Sequence, residues 1–178
     1  MMDVTKIADH LKLTVTPIQS DICLGNFLCG NRDIDDWAKK KSFKHHNQDR
    51  VRVFCVRARN SNRADGFYSI SFSPIKNEHL FENHADRYKS EGYAPIVYIE
   101  RLAVSKPMQN EGIGTYLLMD SLLRAYEVSK NVAVYGVALR SLNEKTTRFY
   151  SGWGFVQRDD NQNPLMILPI WSIRDLVK

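Results

Sequence analysis

The alternation of apolar and polar positions divides the chain into a mixed succession of strands and helices. "LKLTVTPI" (Leu11–Ile18) alternates residue by residue and predicts a first strand, because successive side chains of a strand face opposite ways. A helix follows, carrying Ile34, Trp37, Ala38 and Lys41 at helical spacing, with Asn31 or Asp33 available as its cap. "VRVFCVRA" (Val51–Ala58) and "GFYSISFSPI" (Gly66–Ile75) predict two strands joined by the polar turn "RNSNRAD", a hairpin with a loose loop. The polar stretch from Lys76 to Ala94 is irregular, with room for a short helix. It leads into the buried strand "PIVYIERLAV" (Pro95–Val104).

The second half is set out by a helix that begins in "QNEGIGT". Asp120, Arg124 and Glu127 share one face of it, and Leu118, Met119, Leu122 and Tyr126 the other. "VAVYGVALR" (Val132–Arg140) reads as a strand buried on both sides. "SLNE" then matches a capping box, with Ser141 as N-cap and Glu144 three residues on, opening a short helix through Tyr150. "GWGFV" and "PLMILPI" predict the two final strands. No repeat and no Pro-, Gly- or Ser-rich linker divides the chain, so residues 1–178 are expected to form a single domain of α/β (α+β) class.

Composition changes this picture little. The 178 residues are 43% hydrophobic and 25% charged, as in an ordinary globular protein. There is no apolar run long enough to cross a bilayer and no apolar signal segment in "MMDVTKIADHLKL", so no membrane association and a cytoplasmic location are expected. Cys23, Cys29 and Cys55 form neither a CxxC pair nor an even disulfide set, and a metal site is not expected. Charge is more informative. The net charge of +5 is concentrated in "KKKSFKHHNQDRVR" (Lys39–Arg52) and "RARNSNR" (Arg57–Arg63). Such clusters are either a solvated face or a polyanion site.

The glycines at the mouth of the helix carry the first sign of chemistry. The first turn of a helix leaves its N–H groups unpaired, and the helix dipole adds partial positive charge there. Glycines let that backbone approach an anion closely, so a strand feeding Q-N-E-G-I-G-T into a helix is suited to hold a pyrophosphate. A plain loop whose glycines serve only turn geometry is the alternative, and glycines alone do not decide between the two.

Gln109, Gly112 and Gly114 resemble the Q/R-x-x-G-x-G/A loop of the GNAT acetyltransferases, and "SLNEKTTRFYSGWGF" resembles that family's later motif. The resemblance implies a mixed, mostly antiparallel central sheet with helices on both faces and a splayed strand that binds acetyl-CoA. In that reading Gln109, Asn110, Glu111, Gly112, Ile113, Gly114 and Thr115 hold the pyrophosphate. Leu102, Ala103 and Val104 offer main-chain groups to the pantetheine, and Asn143 lies at the cofactor. Tyr150, with an ordinary pKa near 10, protonates the departing thiolate. Glu100 is either a base acting through water or a carboxylate paired with Arg101.

The amino-terminal half narrows the resemblance. "FLCGNRDIDDWAKKKSFKHHNQDRVRVFCV", "GFYSIS" and "IERLAV" are similar to segments of the GNAT-type toxins of bacterial toxin–antitoxin pairs, over roughly Pro17–Pro169. The chain departs from that pattern at Ala38, in lacking a proline-rich approach to the fourth strand, and in its tail "WSIRDLVK". The resemblance implies acetylation of the α-amino group of an aminoacyl-tRNA, which blocks translation. An α-amino group titrates near 7.7–8.0 and a lysine amine near 10.4, so the former reacts without a strong base. On this reading Lys39, Lys40, Lys41, Lys44, Arg50, Arg52 and Arg101 bind the substrate, with salt-sensitive contacts to phosphate. A homodimer and a ribbon-helix-helix antitoxin are the implied partners. The alternatives are a GNAT enzyme acting on a small-molecule or protein amine, and an inactive acetyl-CoA-binding scaffold.

Overall fold

A computed structural model describes residues 13–58 and 61–176. Its strands are β1 (Leu13–Pro17), β2 (Arg52–Ala58), β3 (Gly66–Lys76), β4 (Tyr93–Val104), β5 (Gly136–Arg140), β6 (Val156–Gln157) and β7 (Leu165–Pro169). They form a seven-stranded sheet in the order β1-β2-β3-β4-β5-β7-β6. The β1–β2, β2–β3, β5–β7 and β6–β7 pairs are antiparallel, and β4–β5 is parallel. The helices are α1 (Arg32–Lys40), α2 (Ser42–Asn47), α3 (Glu82–Ala85), α4 (Ile113–Ser129), α5 (Glu144–Ser151) and α6 (Ile170–Leu176). The mixed, mostly antiparallel sheet with helices is the expected fold class.

Contacts group the chain into two compact units. Of the described residues, one comprises those up to Ser71 and Glu100–Ser121; the other comprises Phe72–Ile99 and those from Leu122 on. In the first unit, β2 is apolar on both faces, because its alternate residues go to different cores. Val53 and Cys55 join Leu24, Phe27, Trp37 and Phe67, whereas Phe54 and Val56 join Tyr68, Ile113 and Leu117. That is the two-residue period of a strand covered on both sides. The second unit is built on Ile75, Leu80, Ile96, Tyr135, Ala138, Leu165 and Ile167. Here β5 opens on Gly136 because a Cβ there would run into the carbonyl oxygen of Leu168 on the paired strand β7.

Several expected elements have different bounds. Leu11 and Lys12 of the first strand, and Arg59 and Asn60 of the hairpin turn, lie outside the described residues. The single basic helix is broken into α1 and α2 at Lys41 (φ −129°). The buried Ser42 hydroxyl donates to the Ala38 carbonyl at 2.5 Å, a back-bond that competes with the helical ladder. The strand expected from Val132 begins only at Gly136, and of "GWGFV" only Val156 is in a strand. The tail "WSIRDL" is helical, in α6.

The face of α4 is also turned from expectation. Its buried stripe is Ile113, Leu117, Leu118, Ser121, Leu122 and Ala125, while Met119 and Tyr126 are half-buried. Asp120, expected on the face opposite Leu118 and Leu122, accepts a hydrogen bond from the Tyr68 hydroxyl.

Candidate active site

β4 outruns its parallel neighbour β5. The β4–β5 ladder runs Val97↔Val137, Tyr98↔Ala138 and Ile99↔Leu139, and among the described residues it stops there. β4 continues from Glu100 to Val104 beyond it, so main-chain groups on that edge are released from the ladder. A 3-10 turn (Lys106–Met108) follows, and then the glycine loop. Asn110 (φ 69°) and Gly112 (φ 82°) are both left-handed, the region that Asn and Gly tolerate best. Such alternation curls a loop so that its N–H groups converge on one side. The loop delivers the chain into the 17-residue helix α4, whose first N–H groups have no intrahelical acceptor.

Gln109 works on the protein itself. Its side-chain amide donates to the Cys29 carbonyl at 2.8 Å and to the Val104 carbonyl at 3.1 Å, bridging the loop to β4 and to the "CGN" segment. That segment is secured again by Asp35, a buried carboxylate accepting from the Cys29 and Gly30 N–H groups at 2.7 and 3.4 Å. The Lys106 N–H donates to the Leu28 carbonyl at 2.8 Å. The amino-terminal motif is therefore a brace for the glycine loop. Nothing in the spacing of Asp35 announced this role. Ile113 sends its side chain into the core. A Cβ on Gly114 would make only ordinary contact with Val104, at 3.8 Å, in keeping with the Gly/Ala alternation of the motif.

Next to the freed stretch of β4, Glu100 accepts from the Ser71 hydroxyl at 2.8 Å and from the Arg101 guanidinium at 3.3 Å. The Arg101 guanidinium carbon lies 4.2 Å from the centre of the Trp37 ring. Of the expected basic residues, Lys39 and Lys40 are on α1, Lys41 at the break, Lys44 on α2, Arg50 before β2 and Arg52 within it. All but the half-buried Lys39 are exposed. Lys40 pairs with Asp36 at 3.0 Å and Arg52 with Asp49 at 2.6 Å. Arg50 lies 3.3 Å from the His45 ring. Burial, and then the charges of Arg50, Lys41 and Arg101, hold His45 below the usual histidine range. His46 is taken up structurally, its Nδ1 accepting the Val53 N–H at 3.0 Å.

In the second unit, the sequence around Tyr150 fixes that residue closely. The capping box of α5 belongs to Asn143 and Thr146, a correction to the expected Ser141 and Glu144. Asn143 has extended backbone and its side chain accepts the Thr146 N–H at 3.0 Å, while the Thr146 hydroxyl receives the Asn143 N–H at 3.1 Å. Ser141 instead exchanges a hydrogen bond with Thr147 at 2.7 Å. The helix closes on Gly154 (φ 88°), with the Phe155 N–H donating to Tyr150 and the Gly154 N–H to Ser151, a Schellman motif. Phe149 and Phe155 pack edge-on to the Tyr150 ring, with centroids at 5.2 and 5.7 Å. Burial pushes the Tyr150 phenol up to about 12, so it stays a neutral donor at physiological pH.

Among the described residues no group of His, Cys, Asp or Glu side chains could hold a metal ion. No helix among them is long and apolar enough to cross a membrane.

No protein-family model matches the chain. A probable toxin TacT of Sinorhizobium fredii is 30% identical over 158 residues, covering 85% of this chain and 87% of that protein. A tRNA-acetylating toxin of Mycobacterium tuberculosis is 26% identical over 148 residues, covering 80% and 84%. A crystal structure of a KacT variant superimposes with a TM-score of 0.84 at 27% identity, covering 92% of this chain and 98% of that one. The structure of AtaT complexed with acetyl-methionyl-tRNAfMet superimposes with a TM-score of 0.83 at 22% identity, covering 93% and 99%. With a freed β4 edge, a curled glycine loop at a helix start and a 30% identical relative along nearly its whole length, the chain belongs to the GNAT-type acetyltransferase toxins.

Proposed function

We propose that the protein is an acetyl-CoA-dependent N-acetyltransferase that acetylates the α-amino group of an aminoacyl-tRNA and so blocks translation. The observation that carries acetyl transfer is the stretch Glu100–Val104, which outruns the β4–β5 ladder and feeds the left-handed loop at the start of α4. The acceptor rests on the relative that acetylates tRNA and on the exposed cations from Lys40 to Arg52.

The residues fit acetyl-CoA. Gly112 at positive φ and the N–H groups of Ile113, Gly114 and Thr115, which have no acceptor within the helix, suit a pyrophosphate, and Gln109 holds that loop in place. Asn110 and Glu111 flank it. Leu102, Ala103 and Val104 present main-chain groups to the pantetheine, and one of their N–H groups is suited to an oxyanion. When bound, acetyl-CoA supplies an acetyl thioester. Tyr150, kept protonated by burial, donates its proton to the thiolate sulfur. Asn143 serves by setting the start of α5, which carries Tyr150. Glu100, fixed by Ser71 and Arg101, faces the amine as a carboxylate that orients it. The α-amine needs no strong base, since it is partly neutral near its pKa of about 7.7–8.0.

Charged tRNA places this action in the cytoplasm. The resemblance to toxin–antitoxin pairs supports a homodimer and a neutralising antitoxin of ribbon-helix-helix type. The test is cell-free translation. Protein plus acetyl-CoA should arrest synthesis, and either alone should not. Arrest that is independent of acetyl-CoA would contradict the reading.

A further inference from the structure

Arg101 has more hydrogen-bonding capacity than the protein uses. A guanidinium carries five N–H donors in a fixed fork. Among the described residues the one acceptor that Arg101 meets is Glu100, at 3.3 Å. One face of the guanidinium lies on the Trp37 ring at 4.2 Å. Trp37 is itself clamped, buried in the core and stacked on Phe67 at 6.0 Å between centroids. Ser71 holds the far oxygen of Glu100 at 2.8 Å, so the carboxylate that anchors Arg101 is anchored in turn. The side chain nevertheless keeps 29% of its surface exposed. A planar cation ordered in advance on one face and at one corner, with its other donors meeting no acceptor among the described residues, is a fork prepared for an anion.

Its surroundings add positive charge that offsets the Glu100 carboxylate. The charges of Arg50, Lys41 and Arg101 all act on His45, opposed by Glu100, and the His45 ring packs edge-on to Trp37 with centroids 5.9 Å apart. Position matters as much as charge. Arg101 immediately precedes Leu102, the first residue assigned to the pantetheine, and one residue of backbone spans about 3.8 Å. An anion held by Arg101 would lie at the strand that carries the residues assigned to the pantetheine, whereas the lysines are on α1 and α2.

We propose that Arg101, stacked on Trp37 and braced through Glu100 by Ser71, binds the 3′-terminal phosphodiester of the acceptor tRNA and makes the enzyme prefer aminoacyl-tRNA over free amines. The inference rests on the function proposed above and names its specificity determinant. Trp37 and Ser71 are positioning residues; Arg101 touches the substrate.

The test uses the full chain with two hydrolysis-resistant analogues, 3′-aminoacylamido-adenosine with and without a 5′-phosphate. Their amino acid is that of a tRNA that the wild-type protein acetylates. The wild type should prefer the phosphorylated analogue in kcat/KM by about 10- to 100-fold, the span of a charge-assisted hydrogen-bond pair. Arg101→Gln should bring that ratio close to one, and Arg101→Lys should retain part of it. Trp37→Phe, which keeps an aromatic face, should preserve the ratio better than Trp37→Leu. A wild type indifferent to the phosphate, or a folded Arg101→Gln protein that keeps the preference, overturns the inference; if Arg101→Gln fails to fold, an undiminished preference in Arg101→Lys together with Trp37→Leu does so. A wild type inactive on charged tRNA and on both analogues contradicts the functional reading itself and removes this inference with it.

Discussion

At the scale of single residues, the proposed mechanism rests most heavily on Tyr150. Its sequence neighbours supply the means: Asn143 starts its helix, Gly154 ends it, and Phe149 and Phe155 fix its ring. Burial raises its pKa to about 12, which keeps the proton on the phenol across the working range. Tyr150→Phe should therefore lower kcat by roughly 10²–10⁴ while acetyl-CoA affinity, read by calorimetry, persists. The pH profile should rise as the acceptor amine loses its proton near about 8 and should show no alkaline fall until far above pH 10. A fall centred near pH 10 would mean that an unburied phenol, or another acid, does the work. The short helix that ends near Tyr150 was legible in the sequence, through "SLNEKTTRFYSGWGF". The cap was misplaced by two residues, because Ser141–Glu144 and Asn143–Thr146 both satisfy a capping pattern and only the backbone conformation selects one. Asp35 and Ser71 were not legible at all: their partners, Cys29 and Glu100, are fixed by tertiary structure rather than by any spacing along the chain.

Between elements, the decisive feature is the passage from β4 through the glycine loop into α4. The strand, the loop and the helix were each legible, the first from its apolar run and the last from its period. The stop of the ladder at Ile99↔Leu139 could be anticipated only from the family resemblance, because an apolar strand reads the same whether or not its neighbour follows it. The broken basic helix failed for a similar reason: the Ser42 back-bond to Ala38 depends on burial that the 3.6-residue period does not report. Gly112 is the point at which the passage is most exposed to substitution. Gly112→Trp places a bulky L-residue at φ 82°, where side chains are strained by about 1–2 kcal/mol, and puts an indole at the anion site. The folded variant should lose measurable acetyl-CoA binding by calorimetry. Unchanged affinity would move the pyrophosphate elsewhere.

For the whole molecule, a net charge of +5 acquires a direction. The exposed cations from Lys40 to Arg52 belong to the same compact unit as Arg101 and the glycine loop. Reversing Lys40, Lys41 and Lys44 should weaken tRNA binding and flatten its dependence on salt, since fewer counterions are released; retention of both affinity and slope would leave these lysines as solvated surface. The measurement that bears most directly on the account is mass spectrometry of total charged tRNA incubated with the protein and isotopically labelled acetyl-CoA. One labelled acetyl group should appear on the α-amine of one or a few aminoacyl-tRNAs with wild-type protein, and be nearly absent with Tyr150→Phe. Label found only on small amines or on protein lysines, with charged tRNA untouched, would contradict it.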